Sequence, residues 1–227
     1  MTAAASMSPF AAELLGGPIR EVAAMNAGYA RFGHDVIAIT LPGRLRMPNG
    51  IETDLTLSLG EPVVIGGGQF RTAAVAISCG PLWDPRPQPR VTLSVFPSPD
   101  LDLETLAGRG PGLTPLGDDI LVGYIAGATL AGRDASAMAE SAAARTTALS
   151  ATLLRLAVHG HLPEAAHRLL EDGDLEPLLD FGSTSGRGIA LGLSILGDAQ
   201  DWPSQVVTLT FTHQRFQLAI TERDQCS

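Results

Sequence analysis

Lysine is missing from this chain: all 15 basic residues are arginine. That excludes a Walker A phosphate loop, a Schiff-base or pyridoxal enzyme and a catalytic lysine base. Any bound anion must be held by guanidinium, backbone N–H groups or hydroxyls. Cysteine is nearly missing as well. Cys79 and Cys226 are too few and too far apart for a disulfide framework and fit a reduced cytoplasm. No apolar run reaches the roughly 18 residues of a membrane span, and Ile120–Ala131 has the length of a buried helix. The Met1–Met7 start has no basic segment leading into an apolar core, so the expectation is a cytoplasmic protein with no signal peptide. A formal net charge of −9 makes nucleic acid and anionic membrane surfaces poor partners.

What is present suits a globular α+β chain. The 227 residues are 45% hydrophobic and 17% charged, enough for a core in one large or two small domains. A short helix near Ala11–Leu15 and a second near Arg20–Tyr29 are expected to precede a set of strands. Asp35–Leu41, the alternating Ile51–Leu59, Pro62–Ile65, Phe70–Ser78 and Val91–Phe96 are short, rich in β-branched residues and separated by Gly or Pro clusters. Gly66–Gly68 reads as a tight turn. After Pro99 the apolar period changes, predicting helices over Asp100–Ala107, Leu116–Leu130, Ala135–His159, Pro163–Glu171, Glu176–Phe181 and Gly188–Leu196. Val206–Thr212 and Phe216–Thr221 return to strand. The implied organisation is a β-rich part (a small sheet or barrel) over 1–99, a helical part over 100–200, and C-terminal strands over 201–227 that rejoin the N-terminal sheet.

One stretch carries the chemistry. Gly108, Gly110, Gly112 and Gly117, interleaved with Pro111, Thr114 and Pro115, run into Asp118-Asp119 and then an apolar helical pattern. A loop this lean exposes backbone N–H groups at a helix start, where the dipole favours anions. Gly110, Gly112, Thr114 and Gly117 are therefore candidate substrate-binding residues. Asp118 and Asp119 are candidate catalytic groups, for proton transfer or as Mg²⁺ ligands, and helix capping is the alternative. Consecutive helical residues point about 100° apart, so one of the two carboxylates can face a ligand while the other bonds backbone or Arg109.

The chain contains a faint echo of itself. Gly117-Asp-Asp-Ile120-Leu-Val-Gly123 aligns with Gly186-Arg-Gly-Ile189-Ala-Leu-Gly192, each copy preceded by a Gly/Thr loop. Either two buried helices both need small residues to pack, or two helix starts meet at one pocket. On the second reading Ser183, Thr184, Ser185 and Arg187 join the substrate-binding set, with helix capping and a surface ion pair as the plain alternatives. His159, His161 and His167 do not complete a metal set, and no metal site is expected among the histidines. No G-x-S-x-G elbow marks a hydrolase.

Gly108-Arg-Gly-Pro-Gly-Leu-Thr-Pro-Leu-Gly-Asp-Asp-Ile-Leu-Val-Gly123 resembles the signature G-x-G-P-G-L-T-P-S-G-D-D-F-L-x-G of the bacterial family that includes AllH. AllH is a subunit associated with oxamate carbamoyltransferase in anaerobic allantoin use. Arg145–Leu154 and Gly182–Gly186 look like further pieces of that family, which together span about residues 106–197. The chain departs from it at Leu116, where the signature has serine. It departs again at Ser183 and Gly188, where a later G-H-x-S-G-x-D motif has histidine and aspartate. The resemblance implies a cytoplasmic protein working beside acyl-CoA-synthetase-like partner subunits on a small anionic substrate. The implied reaction is phosphorolysis of a carbamoyl group, oxalurate plus phosphate giving oxamate and carbamoyl phosphate, or the reverse. Two hypotheses stand: a subunit of a carbamoyltransferase-like enzyme that binds a carboxylate or carbamoyl/acyl-phosphate anion, and a non-catalytic scaffold or regulatory subunit of the same assembly.

Overall fold

A computed structural model describes residues 2–26, 28–96, 101–195, 206–212 and 215–221. The chain is α+β and divides into two compact units, Met1–Pro85 and Arg86–Ser227. The first unit holds β1 (Thr2–Ala3), β2 (Ser6–Met7), α1 (Pro9–Gly16), β3 (Arg20–Asn26), β4 (Tyr29–Phe32), β5 (Asp35–Thr40), β6 (Gly50–Glu52), β7 (Pro62–Gly66), β8 (Gln69–Arg71) and β9 (Ala76–Ser78). Its strands form one nine-stranded sheet in the order β1-β9-β8-β7-β3-β4-β5-β6-β2. β1 and β2 stand at opposite ends of that order, yet only Ala4 and Ala5 separate them in the chain. Two residues span less than about 11 Å, so the sheet curls until its ends meet, and neither end is left as a long open edge. Phe32 and Phe70 fill the enclosed core edge to face, centroids 6.3 Å apart, with Met7, Leu15, Ile37, Ile51, Ile65 and Ile77. Helix α1 starts on a proline, and the Ser8 hydroxyl accepts from the Ala11 N–H at 3.2 Å.

The segment from Arg20 differs from the helix expected there. It is strand β3, paired antiparallel to β7 and β4, and Asn26 Oδ1 turns the chain by accepting from Gly28 N–H at 2.8 Å. Alanine-rich local preference yields to two strand partners. The expected Ile51–Leu59 strand ends at Glu52, whose carboxylate instead accepts from the Ser6 hydroxyl and the Gly43 N–H. Phe70–Ser78 resolves into two short strands, β8 and β9.

The second unit carries β10 (Thr92–Phe96), a 3-10 turn (Leu103–Thr105), α2 (Leu116–Leu130), α3 (Ser136–Ala143), α4 (Ala148–Ala157), α5 (Glu164–Asp172), α6 (Glu176–Leu179), α7 (Ser185–Ser194), β11 (Val206–Thr212) and β12 (Arg215–Thr221). β10 pairs parallel with β11, and β11 antiparallel with β12. The closing strands thus join a strand from before residue 99, in a three-stranded sheet separate from the nine-stranded one. The long helix expected over Ala135–His159 breaks in two. Thr147 leaves helical geometry, and its hydroxyl accepts from Ser150 N–H at 3.2 Å, capping α4. The helix expected over Asp100–Ala107 reduces, among the described residues, to the 3-10 turn.

Helices α2 and α7 cross with their backbones in contact. A β-carbon added to Gly123 would run into the Ile189 carbonyl, and one added to Gly192 into the Ile120 carbonyl. The contact is reciprocal, so the sequence echo is a local two-fold relation between two helices. Gly117 and Gly186, the first glycines of the two copies, sit as tightly against the carbonyls of Leu106 and Leu178. Gly123→Ala and Gly192→Ala are expected to cost about 1–3 kcal/mol each through overpacking. Urea-unfolding midpoints check this, with Gly132→Ala as a comparison for backbone strain alone, since Gly132 has φ 75° and open space around it.

Candidate functional site

The loop before α2 is tied down from several sides. Its Leu113 carbonyl accepts from the Thr147 hydroxyl at 2.6 Å, and Arg109 carbonyl accepts from Gly117 N–H at 2.9 Å. Gly108 takes φ 74° with the Arg145 carbonyl 2.7 Å from where a β-carbon would stand, so only glycine fits there. Gly110 and Gly112 also have positive φ, at 122° and 97°. The loop is ordered, but its N–H groups are less open than the sequence suggests. Besides Gly117, both Asp118 and Asp119 donate their N–H to the Pro115 carbonyl. The first turn of α2 is therefore largely satisfied from within the chain.

The two aspartates are both buried and face different neighbours. Asp118 is fully buried, and its Oδ1 accepts from Gly108 N–H at 2.7 Å while its Oδ2 accepts from the Thr146 hydroxyl. It bonds backbone, as one of the pair was expected to do, and Thr146 in place of Arg109 is its second partner. Asp119 turns to α7, where a β-carbon on Gly188 would stand 2.6 Å from Asp119 Cβ. Asp119 is 2% exposed, and its Oδ2 has no hydrogen-bond partner. Burial pushes its pKa up to about 8, and the neighbouring charge of Asp118 adds to the rise; the Ser185 and Thr114 hydroxyls pull the other way and lose. At neutral pH Asp119 is a protonated acid.

The structure brings Thr114 and Ser185 together, their hydroxyls 2.8 Å apart. With Asp119 between them and Gly188, the starts of α2 and α7 meet. Ser183 and Thr184 lie on the exposed approach to α7, Arg187 is exposed in its first turn, and the Thr184 hydroxyl makes no cap bond. Gly186 and Gly188 donate their N–H to the Phe181 and Thr184 carbonyls. A cavity of about 530 Å³ in this unit is lined by Leu103, Thr105, Leu121, Met138 and Arg145, and by none of the candidate catalytic or substrate-binding residues. Thr146 and Thr147 went unnoticed as site residues, although a Thr-Thr pair ahead of an apolar helical run is a cap signal.

Among the described residues no cluster of three or more His, Cys, Asp or Glu is placed to hold an ion, and each Asp118 oxygen already accepts one hydrogen bond. His159 and His161 stack obliquely at 5.7 Å, and His167 approaches Glu171 at 3.8 Å. Among the described residues no helix is long and apolar enough to cross a membrane.

Fold and site together define an α+β protein whose helical unit buries one protonated carboxyl at the meeting of two glycine-packed helix starts. Residues 106–196 match the family model described as "Oxamate carbamoyltransferase subunit AllH", so over this segment, less than half of its length, the chain is similar to that family. No curated protein and no solved structure matches the chain.

Two outcomes follow from the aspartates. The unfolded chain ionises Asp119 near 3.8 and the folded chain near 8, so stability falls as pH rises between these values and levels off above. Asp119→Asn abolishes that loss. The stability difference between variant and wild type should shift in the variant's favour by up to about 1.4 kcal/mol per pH unit across the window, as read from urea unfolding at pH 5 to 8. Asp118→Ala strands the Gly108 N–H and the Thr146 hydroxyl and should cost about 1–3 kcal/mol at any neutral pH. Faster amide exchange at Gly108 would accompany it.

Proposed function

We propose that the protein is a subunit of a carbamoyltransferase-like enzyme of the oxamate/oxalurate type, and that it binds a small carboxylate or carbamoyl/acyl-phosphate anion where α2 and α7 begin. The observation that carries this reading is Asp119, buried and protonated with one oxygen unpartnered, beside the Thr114–Ser185 hydroxyl pair. A charged carboxylate would repel an anion. A neutral one donates a hydrogen bond to it, as a desolvated acid does in other sites. Arg187, at the exposed start of α7, supplies positive charge for the same ligand, with Ser183 and Thr184 beside it. Gly110 and Gly112, on the exposed part of the loop, give it the low bulk that lets a ligand approach, while Gly117 packs the loop against the start of α2.

The chemistry of carbamoyl phosphorolysis suits such an acid. When a phosphate oxygen attacks the carbamoyl carbon of oxalurate, the bond from that carbon to the oxamate nitrogen breaks. The departing nitrogen needs a proton, and the hydrogen phosphate that attacks has one to lose. Asp119 gives its proton to the nitrogen and recovers the phosphate proton, so atoms and charge balance with no other reactant. Asp118, held by Gly108 and Thr146, keeps the loop in place around the ligand. Acyl-CoA-synthetase-like subunits are the partners proposed to complete the enzyme, and allantoin breakdown the setting.

A scaffold or regulatory subunit is the second reading. It is favoured by the number of first-turn N–H groups in α2 that already bond within the chain. Asp119→Asn separates the two. The amide still donates a hydrogen bond but relays no proton, so the assembled enzyme should lose turnover by about 100-fold or more while phosphate and oxamate still raise the melting temperature of the isolated subunit. Above pH 8 the wild type should lose that ligand response and the variant keep it. Arg187→Ala should weaken the response without lowering unliganded stability. Turnover unchanged in Asp119→Asn would leave the scaffold reading standing.

A further inference from the structure

Leu116 opens α2 on the same face as Asp119, Ile120 and Gly123, since residues three, four and seven apart share a helix face. That face is the one laid against α7. The Leu116 Cδ1 lies 3.1 Å from the point where a β-carbon on Gly188 would stand, and Asp119 Cβ lies 2.6 Å from the same point. Leucine and aspartate converge on one spot in the first turn of α7. Their exposures differ sharply: Leu116 is 38% exposed and Asp119 2%. Leu116 is also one of few large apolar side chains left facing solvent, although it stands at a helix start where a polar residue would be easier to accommodate. Leu116 and Gly188, two of the departures from the motifs the chain resembles, meet here.

We propose that Leu116 is a positioning residue: its side chain lies across the first turn of α7 and keeps water from Asp119, so that the carboxyl meets a ligand as a dry acid. This rests on the function proposed above and names what sustains it. The groups acting on the ionisation of Asp119 besides burial are Ser185, Asp118 and Thr114. The other charged side chains on the helices packed against α2 include Arg187 on α7, Glu140 on α3 and Arg155 on α4, and all three stay in place in the variants below. Leu116→Ser and Leu116→Ala open the leucine's side of Asp119 to water and leave every one of these groups unchanged. Leu116→Met keeps an apolar cover of similar size.

The test is the titration of Asp119 in the unliganded full-length protein, read by carboxyl ¹³C NMR, with Asp119→Asn as the blank that identifies the signal. Wild type and Leu116→Met should both titrate near pH 8. Leu116→Ser and Leu116→Ala should titrate at least about one pH unit lower, because hydration of the carboxylate removes part of the desolvation that raises it. Two truncations guard against one failing to fold. The pH at which phosphate ceases to raise the melting temperature should fall by the same amount. A purely structural role for Leu116 would lower stability and leave that titration where it is. Truncated variants that titrate with the wild type therefore overturn the proposal while leaving Asp119 as a neutral acid. A wild type that itself titrates in the ordinary carboxylate range would overturn the neutral-acid reading first, and this proposal with it.

Discussion

The reciprocal contact of α2 with α7, backbone on backbone through glycine, is the constraint on which the site depends. With Gly123 against the Ile189 carbonyl and Gly192 against the Ile120 carbonyl, there is no side-chain layer between the helices. The two helix starts are then forced together, which lets the Thr114 and Ser185 hydroxyls bond across the gap. The same closeness excludes water from Asp119. Two helix starts side by side would by their dipoles favour a negative charge. Here that preference loses, because the N–H groups of Gly117, Asp118 and Asp119 are already bonded to chain carbonyls and burial dominates the ionisation of Asp119.

Adjacent identical residues have been put to opposite uses. Asp118 accepts two hydrogen bonds, one from a loop N–H and one from a threonine 28 residues further along the chain, and so ties those two segments to α2. Asp119 is denied that satisfaction on Oδ2. The angular step of the helix makes the division unavoidable, since two consecutive residues about 100° apart cannot both face the loop or both face α7. A buried acceptor without a partner is costly for folding, and such a cost persists most readily where the group serves a ligand.

How much of this could be read from the sequence follows from which forces act locally. Helix α2 has the bounds expected from its period, and the glycine echo correctly pointed to two helices whose starts meet. Both are matters of spacing along the chain. The segment from Arg20 was misread because its alanines favour helix, whereas β7 and β4, distant in sequence, decide its state. The break at Thr146–Thr147 was missed because a hydroxyl cap looks like any polar pair inside an alanine-rich run. At the candidate site, the meeting of the two helix starts was legible, and the different surroundings of the two aspartates were not. Which aspartate meets which neighbour depends on helix phase relative to α7. That the N–H groups of the loop are spent internally depends on the Pro115 and Arg109 carbonyls, to which no motif points.

The two-fold relation between α2 and α7 also explains why one carboxyl, and not two, stands at their meeting. In the echo Asp119 and Gly188 are equivalent positions, and they face each other across the local axis. Two aspartates at such positions would share a proton, because like charges so close cannot both ionise. Glycine at 188 removes the second acid, and the space that its missing side chain leaves is taken by Asp119 Cβ and Leu116 Cδ1. A side chain at 188 and a leucine at 116 compete for the same volume, so these two positions are coupled by packing as well as by chemistry. An aspartate placed at 188 alone would collide with Leu116 and Asp119. Positions 116 and 188 therefore belong together, a large apolar residue on one helix start and none on the other, with Asp119 buried between them.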